Sequence, residues 1–352
     1  MQKLVGMVYA MTNSAAGNKV IAFRRGANGR LTRVKAYETG GRGTGKAQVD
    51  PLASQGSLIL SRGGGFLFAV NAGSNSISSF RVANSGRLTL VNVVPSGGVK
   101  PNSICQFGSL LYVTNVGNTT HKFASNVTGF RIQKNGRLSR IKGSTHLLSR
   151  TDAQPTCVVF SPDGHKIIVS ELNKNHLSVF RVNRNGTLTG PYVNQSNGAG
   201  PFGSVFLSRG LLLVSEAGPN ALSSYKEAAN GTLKVISGSV LNRQLATCWV
   251  VASPREHFAY TSNAGGNGTI TLYRIKKDGT LAVVKSIRSV LSRNAAPIDS
   301  GVSKRGGNLY VLNGNEGSIS VFRIRTNGHL VRLQVFKDTG LPKVGAQGLA
   351  VR

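Results

Sequence analysis

Two glutamates hold matching positions in a chain of 352 residues that has only 12 acidic side chains. Glu171 and Glu216 each end a short apolar strand pattern in neighbouring copies of a repeated unit. The equivalent positions in the other copies carry amides: Asn13, Asn71, Asn115, Asn263 and Asn313. Two carboxylates held close together acquire different pKa values, which is the arrangement that general acid–base catalysis needs. The alternative is structural: each side chain bonds to backbone groups and caps the following turn.

Asp299 and His146 are the other candidates for moving protons. Asp299 is the single carboxylate among the polar residues that we place on the innermost predicted strands. His146 lies in a connection that leads into one of these strands, close to Arg150 and Asp152. The histidines show no metal-ligand spacing, so we predict neither a metal site nor a cofactor.

Polar residues that would line a central channel are the candidates for binding a ligand, because pockets are concave and carry a few convergent polar groups. These candidates are the amides Gln55, Asn102, Gln154 and Gln347, with Arg42 and Arg150 for an anionic group. The alternative for each amide is packing in a water-filled channel. The run 40–46 looks like a phosphate loop, but the Lys-Ser/Thr and helix of a P-loop do not follow it, so we expect a flexible connection.

These residues belong to a unit that the chain repeats seven times. In each copy an aromatic residue stands six positions before a glycine, and a leucine stands two positions after it. The triplets are Phe23/Gly29/Leu31, Phe80/Gly86/Leu88, Phe130/Gly136/Leu138, Phe180/Gly186/Leu188, Tyr225/Gly231/Leu233, Tyr273/Gly279/Leu281 and Phe322/Gly328/Leu330. Successive glycines are 57, 50, 50, 45, 48 and 49 residues apart. A period near fifty that fills the chain indicates a repeat architecture.

Each unit contains four predicted strands. The aromatic residue ends an alternating strand such as 76–82, and an Asn-Gly, Asp-Gly or Ser-Gly pair then predicts a tight hairpin, because glycine supplies positive φ. Upstream lie a second strand such as 166–171 and an apolar innermost strand such as 156–160. Four-stranded units arranged radially form a β-propeller. We therefore predict an all-β, seven-bladed propeller with four antiparallel strands per blade, in a single domain spanning 1–352. The terminal segment 345–352 should complete blade one and close the ring.

The chain carries a formal net charge of +31, from 43 basic and 12 acidic residues. The excess arises from scarce acids rather than from basic tracts. Such a field attracts polyanions, for example nucleic acid or acidic glycans, without base readout. Ordinary solvated surface charge and deliberate supercharging are the two alternatives.

The three cysteines, Cys105, Cys157 and Cys248, all fall on predicted innermost strands, and we expect buried thiols because an odd number argues against a disulfide framework. No apolar run is long enough to span a membrane. The first residues carry no secretory hydrophobic region, so the sequence leaves open whether the protein is cytoplasmic or exported. We expect a monomer.

The repeat sequences resemble one known family. The blocks 71–81, 215–220, 246–249 and 260–265 are similar to the lactonase family of seven-bladed propellers, which includes propeller-type 6-phosphogluconolactonase and fungal carboxymuconate lactonizing enzyme. The resemblance covers essentially the whole chain and is specific for the fold. It implies cofactor-free opening or closing of a sugar-acid or muconate-type lactone at the mouth of the central channel.

Two functions of different classes follow. The first is a lactone hydrolase or cyclase that acts on a small anionic substrate. Its anion would be held by Arg42, Arg150 and the channel amides, and its protons moved by Glu171, Glu216, Asp299 or His146. The second is a non-catalytic cationic scaffold, natural or engineered, that binds polyanions. A WD40-type interaction propeller is disfavoured, because Trp249 is the only tryptophan and no blade can repeat a Trp-Asp pair.

Overall fold

The computed structural model describes residues 6–118, 123–291 and 295–352 and consists of seven antiparallel sheets. Six sheets have four strands, and the third has a fifth, short strand. In chain order the strands are β1 Gly6–Met11, β2 Lys19–Arg25, β3 Leu31–Glu38, β4 Leu58–Leu60, β5 Phe66–Asn71, β6 Ser76–Val82, β7 Leu88–Pro95, β8 Pro101–Phe107, β9 Leu110–Asn115, β10 Asn126–Ile132, β11 Leu138–Arg140, β12 His146–Leu147, β13 Pro155–Phe160, β14 Lys166–Glu171, β15 His176–Val182, β16 Leu188–Gln195, β17 Pro201–Phe206, β18 Leu211–Glu216, β19 Ala221–Glu227, β20 Leu233–Leu241, β21 Thr247–Ala252, β22 Phe258–Asn263, β23 Thr269–Ile275, β24 Leu281–Arg288, β25 Pro297–Val302, β26 Asn308–Asn313, β27 Ser318–Ile324, β28 Leu330–Phe336 and β29 Leu349–Val351. Within the described ranges, the helical element is the 3₁₀ turn Leu172–Lys174.

Each blade takes its strands in chain order from the axis outwards, as in β4-β5-β6-β7 and β13-β14-β15-β16. The prediction of seven four-stranded blades is therefore confirmed. The innermost strands of adjacent blades pack side by side around the axis, as β8, β13 and β17 do. The aromatic residues of all seven triplets are almost fully buried between the sheets. Burying one such side chain contributes roughly 1.5–3 kcal/mol.

The repeated glycine sits in the hairpin between the third and fourth strands. Gly29 has a φ of 84°, and the other six lie between 83° and 91°. Its N–H bonds to the carbonyl of Gly26, three residues earlier, at 3.0 Å. Asn28 accepts the N–H of Arg30 at 3.0 Å, which explains why asparagine precedes the glycine in most copies. These hairpins thus combine a tight turn with one left-handed residue, a conformation that favours glycine.

The same glycine also joins each blade to the one before it. Its carbonyl accepts a hydrogen bond from a side chain of the preceding blade in all seven copies. The pairs are Tyr310–Gly29, Tyr9–Gly86, Ser79–Gly136, Tyr112–Gly186, Asn194–Gly231, Ser224–Gly279 and Tyr260–Gly328. Their distances run from 2.6 Å for Ser79 to 3.0 Å for Asn194. A net contribution of about 1 kcal/mol for each bond makes these latches part of what holds the ring together.

The C-terminal strand closes the ring. β29 pairs antiparallel with β1, with Val351 opposite Val8 and Leu349 opposite Ala10. The N–H of Arg352 bonds to the carbonyl of Met7 at 2.8 Å. Blade one therefore contains strands from both ends of the chain, as the sequence predicted. The cysteines are buried and free, as expected.

The innermost strand of blade two begins late, and residues 50–57 instead cross the channel; we call them the central segment. Gln55 links this segment to three other blades. Its backbone N–H bonds to the carbonyl of Thr156 and its Nε2 to the carbonyl of Ser204, each at 2.9 Å. The N–H of Val250 bonds to Gln55 Oε1 at 2.9 Å. The central segment thus divides the channel, and a cavity of about 420 Å³ lies on one side of Gln55.

The two faces of the propeller carry different loops. One face, here named the entry face, has the connections from each outermost strand to the next innermost strand, and the second strand of each blade ends there. The other, the hairpin face, has the glycine hairpins. The central segment bonds to residues near the N-terminal ends of the innermost strands, so Asp50, at its start, lies on the entry-face side.

Candidate functional site

Asp299 and Asp50 lie near enough to interact electrostatically where the central segment enters the channel. Asp299 is the third residue of β25 and is 4% exposed, whereas Asp50 remains partly exposed. The N–H of Gly348 donates to Asp299 Oδ2 at 2.9 Å, and Gln347 Nε2 donates to Asp50 Oδ1 at 2.6 Å. Two adjacent residues of the closing segment therefore hold the two carboxyl groups.

The surroundings of both carboxyl groups disfavour their charged forms. The pKa of Asp50 is raised to about 7, mainly by burial and next by the nearby charge of Asp299, against the hydrogen bond from Gln347 that lowers it. Burial likewise raises the pKa of Asp299 to about 7, although backbone N–H groups of Gly348 and Gly56 oppose the change. Interacting carboxyls share their protons, so near neutral pH this pair holds a proton that isolated aspartates would have lost.

Gln347 fixes the position of Asp50. Its Nε2 also donates to the carbonyl of Ser54 at 2.7 Å, and its Oε1 accepts the N–H of Leu52 at 2.9 Å. Trp249 Nε1 donates to the same Ser54 carbonyl at 3.0 Å. The central segment is therefore rigidly attached just after Asp50, and a carboxyl group so fixed has the preorganisation that acid–base chemistry needs.

Cys248 lies close enough to Asp50 for the carboxylate charge to affect the pKa of its thiol. Burial is the main cause that raises the pKa of the Cys248 thiol above its ordinary range, and the charge of Asp50 adds to it. The thiol is consequently protonated at neutral pH. Because the thiolate is the nucleophilic form of cysteine, this residue does not supply a nucleophile to the site.

Glu171 is held in a network between its own blade and the connection that precedes it. The side chain is fully buried, and its carboxylate accepts the hydroxyl of Ser149 and, at 3.3 Å, the backbone N–H of the same residue. Ser149 Oγ also lies 3.0 Å from His176 Nδ1. In a Ser-His-Asp triad the histidine stands between the hydroxyl and the carboxylate. Here the hydroxyl stands between the other two, so the group does not have the order of a triad.

Glu216 is satisfied by a separate set of donors. Its Oε1 accepts the N–H of Gly198 at 2.9 Å and the hydroxyl of Ser223 at 2.6 Å. Its Oε2 accepts the hydroxyl of Ser239 at 2.6 Å. Glu171 and Glu216 share none of these partners, and both are 0% exposed. The geometry favours the structural alternative for both glutamates, since each ties its own blade to the connection that precedes it.

Four of the five equivalent asparagines have the same role, whereas the Asn13 side chain bonds to Thr44 in the following connection and to the carbonyl of Gly345. Asn71, for example, accepts the hydroxyl of Thr39 at 2.7 Å and donates to Ser78 Oγ at 2.7 Å. Asn313 similarly accepts from Ser289 Oγ at 2.7 Å and donates to Ser320 Oγ at 2.9 Å. In these four blades the asparagine is therefore a clasp between the second strand, the third strand and the preceding connection.

The amides predicted to bind ligand serve mainly the central segment. Asn102 is 1% exposed, and its Nδ2 donates to the carbonyl of Pro155 at 2.7 Å while its Oδ1 accepts from Thr114. Gln55 and Gln347 are engaged as described above. Gln154 is partly exposed on the entry face with a φ of 54°, and its carbonyl accepts the N–H of Leu172 at 3.0 Å.

The remaining candidates lie away from the carboxyl pair. His146 belongs to β12, which pairs with β10 at the outer part of blade three, and its ring packs edge-on against Phe180. Arg150 is exposed, with its Nε 3.9 Å from Asp152 Oδ1. Arg42 is exposed on the entry face, where its backbone N–H bonds to Ser74 Oγ. The structure thus brings together Asp299 and Gln347 from the predicted set, and adds Asp50.

Asp50 was missed because it lies in a connection without strand periodicity. The available signal was the scarcity of acids, which makes any carboxylate just before an innermost strand notable. No group of three or more metal-ligating side chains occurs among the residues that the structure describes. In the same ranges, no helix has the length and apolarity needed to cross a bilayer.

Comparison with known proteins agrees with this architecture. The family model described as "Lactonase, 7-bladed beta-propeller" matches residues 7–146 and 227–347, well over half of the chain. A candidate 6-phosphogluconolactonase from Bacteroides fragilis is 19% identical with a TM-score of 0.78, and the match covers 99% of this chain and 98% of that one. The periplasmic gluconolactonase of Pseudomonas aeruginosa is 18% identical, with a TM-score of 0.77 over 98% of each chain.

A more distant structural relative is virginiamycin B lyase from Staphylococcus aureus. It is 16% identical with a TM-score of 0.55, over 82% of this chain and 86% of that one. No curated protein sequence matches the chain. At such identities the structural likeness establishes the fold alone.

Proposed function

Because this chain belongs to the lactonase family of seven-bladed β-propellers, we propose that it opens a lactone ring by hydrolysis, without a cofactor, at the entry-face end of its central channel. The observation that carries the proposal is the pair formed by Asp50 and Asp299. Asp50 is partly exposed and its pKa is raised to about 7, which suits a group that must both take and return a proton near neutral pH.

Asp50 is the residue proposed to act on the substrate. As a carboxylate it accepts a proton from a water molecule while the water oxygen attacks the lactone carbonyl carbon. The protonated Asp50 then donates that proton to the ring oxygen as the carbon–oxygen bond breaks. The products are a hydroxyl group and a carboxylic acid, and Asp50 returns to its starting state. The reverse sequence would close a ring from a hydroxy acid.

Asp299 and Gln347 act as positioning residues in this scheme. Asp299 is only 4% exposed, and its charge is one cause of the raised pKa of Asp50. Gln347 holds Asp50 Oδ1 at 2.6 Å and thereby leaves the other carboxyl oxygen for water or substrate. Glu171, Glu216 and His146 take no part, because the first two are sealed in clasps and the third lies at an outer strand.

A small lactone that bears a negative charge is the proposed substrate class. The net charge of +31 favours anions over neutral molecules of the same shape. Arg42 and Arg150 are exposed on the entry face and can add to this attraction. The names of two structural relatives, a gluconolactonase and a candidate 6-phosphogluconolactonase, favour a sugar-acid lactone over a muconate-type lactone.

Hydrolysis of a lactone panel tests the proposal. Purified protein would be assayed by continuous titration of released acid on aldonolactones, their phosphorylated forms and muconolactone. Asp50→Asn should lower kcat by about 10²–10⁴-fold, the usual contribution of a positioned acid–base group. Asparagine keeps an oxygen for the bonds from Gln347 and Ser54, both of which are made to Oδ1, so the fold should be retained.

Asp278→Asn provides the matched control. Asp278 precedes the hairpin glycine of blade six, where most other blades already carry asparagine, so this change alters the net charge equally and leaves the hairpin intact. The control should keep wild-type activity. If the wild type hydrolyses none of the lactones above the uncatalysed rate, the proposed activity is wrong. If Asp50→Asn is as active as the wild type, the assignment of Asp50 is wrong.

A further inference from the structure

A second concave site lies at the seam where the first and last blades meet. It has a volume of about 620 Å³ and lies between the turn after β1, strands β2 and β3, and the connection that follows blade seven. We call it the seam groove. Its size falls within the range of pockets that hold small molecules. Asp50 and Asp299 are not among its lining residues, so it is distinct from the proposed catalytic site.

The seam groove is cationic and lacks acidic lining. Lys19, Arg33 and Lys46 line it, and no aspartate or glutamate does so. The carboxylate of Glu38 pairs with Lys19 at 2.8 Å and thus compensates one of the three charges. Arg33 and Lys46 retain theirs. Two uncompensated cations facing one cavity create a local positive potential, and a bound anion would neutralise it.

Arg33 is seated against a glycine. A Cβ atom at Gly340 would stand 2.6 Å from Arg33 Cζ and 2.8 Å from each terminal nitrogen, so the guanidinium packs on the bare backbone. Gly340 has a φ of 73°, which independently favours glycine. The planar guanidinium fork binds carboxylate and phosphate groups through two parallel hydrogen bonds. The position of Arg33 on the groove wall therefore gives the anion a defined place.

The other walls are apolar or made of small residues. Ile21, Ala36, Pro342 and Val344 line the groove, together with alanines and glycines of the turn after β1. Asn13 ties one rim, since its Nδ2 donates to Thr44 Oγ1 at 2.8 Å and to the carbonyl of Gly345 at 3.2 Å. A ligand that fits such walls has an apolar body next to its charge.

From these features we infer that the seam groove binds a small organic anion, with a phosphate or carboxylate group on Arg33 and Lys46 and an apolar body against Ile21 and Val344. The site belongs to the ring closure, because its walls come from blade one, from the connection that follows blade one and from the connection that leads to β29. Occupancy should therefore also stabilise the closed ring, since a ligand that binds only the folded state raises its stability.

Titration calorimetry with simple probes tests this inference. Phenyl phosphate carries both features, benzoate replaces the phosphate by a carboxylate, inorganic phosphate lacks the apolar body and benzyl alcohol lacks the charge. At about 150 mM NaCl, where exposed charges are screened, at least one of the two aromatic anions should bind more tightly than inorganic phosphate and benzyl alcohol. Arg33→Ala should weaken that binding by about tenfold or more, as expected for loss of a charge-assisted bond.

Arg184→Ala is the matched control, because Arg184 is exposed in the hairpin loop of blade four and lies far from the groove in the ring order. Lys46→Ala serves as a second variant if Arg33→Ala destabilises the protein. Asp50→Asn should bind the aromatic anion as the wild type does, and Arg33→Ala should hydrolyse the lactone as the wild type does. The proposed groove ligand and the proposed hydrolysis are therefore tested independently. Absence of binding by either aromatic anion, or equal weakening by Arg33→Ala and Arg184→Ala, would overturn the inference.

Discussion

Replacing Asp50 by asparagine should change how the stability of the propeller depends on pH. The pKa of Asp50 is raised from 3.8 to about 7 in the folded protein, mainly by burial. Between those pH values the folded state keeps a proton that the unfolded state has released. The free energy of unfolding therefore falls as pH rises through this window, and the loss is complete above about pH 7. Asparagine has no proton to lose, so the variant lacks the Asp50 contribution to this slope and keeps only the contribution of Asp299, whose pKa is also raised to about 7.

The size of the effect follows from the width of the window. Each pKa unit corresponds to about 1.4 kcal/mol, so a rise of about three units gives at most about 4 kcal/mol. Part of this rise in pKa comes from the charge of Asp299. That interaction energy belongs to both carboxyl groups together, so it is not assigned in full to Asp50. We expect Asp50→Asn to gain roughly 2–3 kcal/mol over the wild type between pH 5 and pH 8.

Urea unfolding followed by tryptophan fluorescence measures this difference. Trp249 is the only tryptophan, is 1% exposed and bonds to Ser54 in the central segment, so its signal reports on this site. Curves would be recorded at several pH values for the wild type, Asp50→Asn and the control Asp278→Asn. The control should parallel the wild type. If Asp50→Asn also runs parallel to the wild type, burial does not raise the pKa of Asp50, and the argument for its chemistry is refuted.

Further predictions concern the clasps, the latches, the ring closure and the surface charge. Glu216→Gln removes an acceptor from a buried network and should lower the free energy of unfolding in urea by about 1–3 kcal/mol. The kcat of the folded protein on its lactone should stay unchanged, and a fall in kcat without a fall in stability would contradict the structural role. Tyr310→Phe loses the hydrogen bond to Gly29 and should lower the free energy of unfolding by about 1 kcal/mol or more. Leu330→Ala, on the partly exposed outer strand β28, shows how much a change without loss of a latch lowers the same quantity. Deletion of 345–352 removes β29 and Gln347, so its melting temperature should fall far more than ordinary trimming would cause, and an unchanged value would contradict closure. Binding to heparin or nucleic acid should weaken steeply with salt and show no sequence preference, and affinity that is flat with salt would exclude the polyanion function.

The sequence was sufficient for the architecture because the repeat records local geometry. The glycine of each triplet has a φ that favours glycine, the aromatic residue is buried in all seven copies, and the leucine is buried in six of them. Each of these requirements acts within a few residues, so it recurs in the sequence at every blade. The blade count, the four strands and the closure by the terminal segment 345–352 could all be inferred from the sequence, and the structure confirms them, with strand β29 inside that segment. The hydrogen bond between blades at the glycine carbonyl could not be inferred, because every residue type has a backbone carbonyl and the sequence does not show which one accepts a bond.

The candidate site depended on contacts that no local pattern records. Asp50 and Asp299 are far apart along the chain, before blade two and in blade seven. They come close because the central segment turns into the channel instead of continuing as a strand. Glu171 and Glu216 hold equivalent positions in neighbouring blades, yet each carboxylate finds donors in the connection just before its own blade, and the two share no partner. The sequence alone determined the ring, since short-range conformational preferences repeat along the chain. Only the tertiary structure decided which carboxyl groups share a charge environment, because burial and proximity depend on the closed ring as a whole.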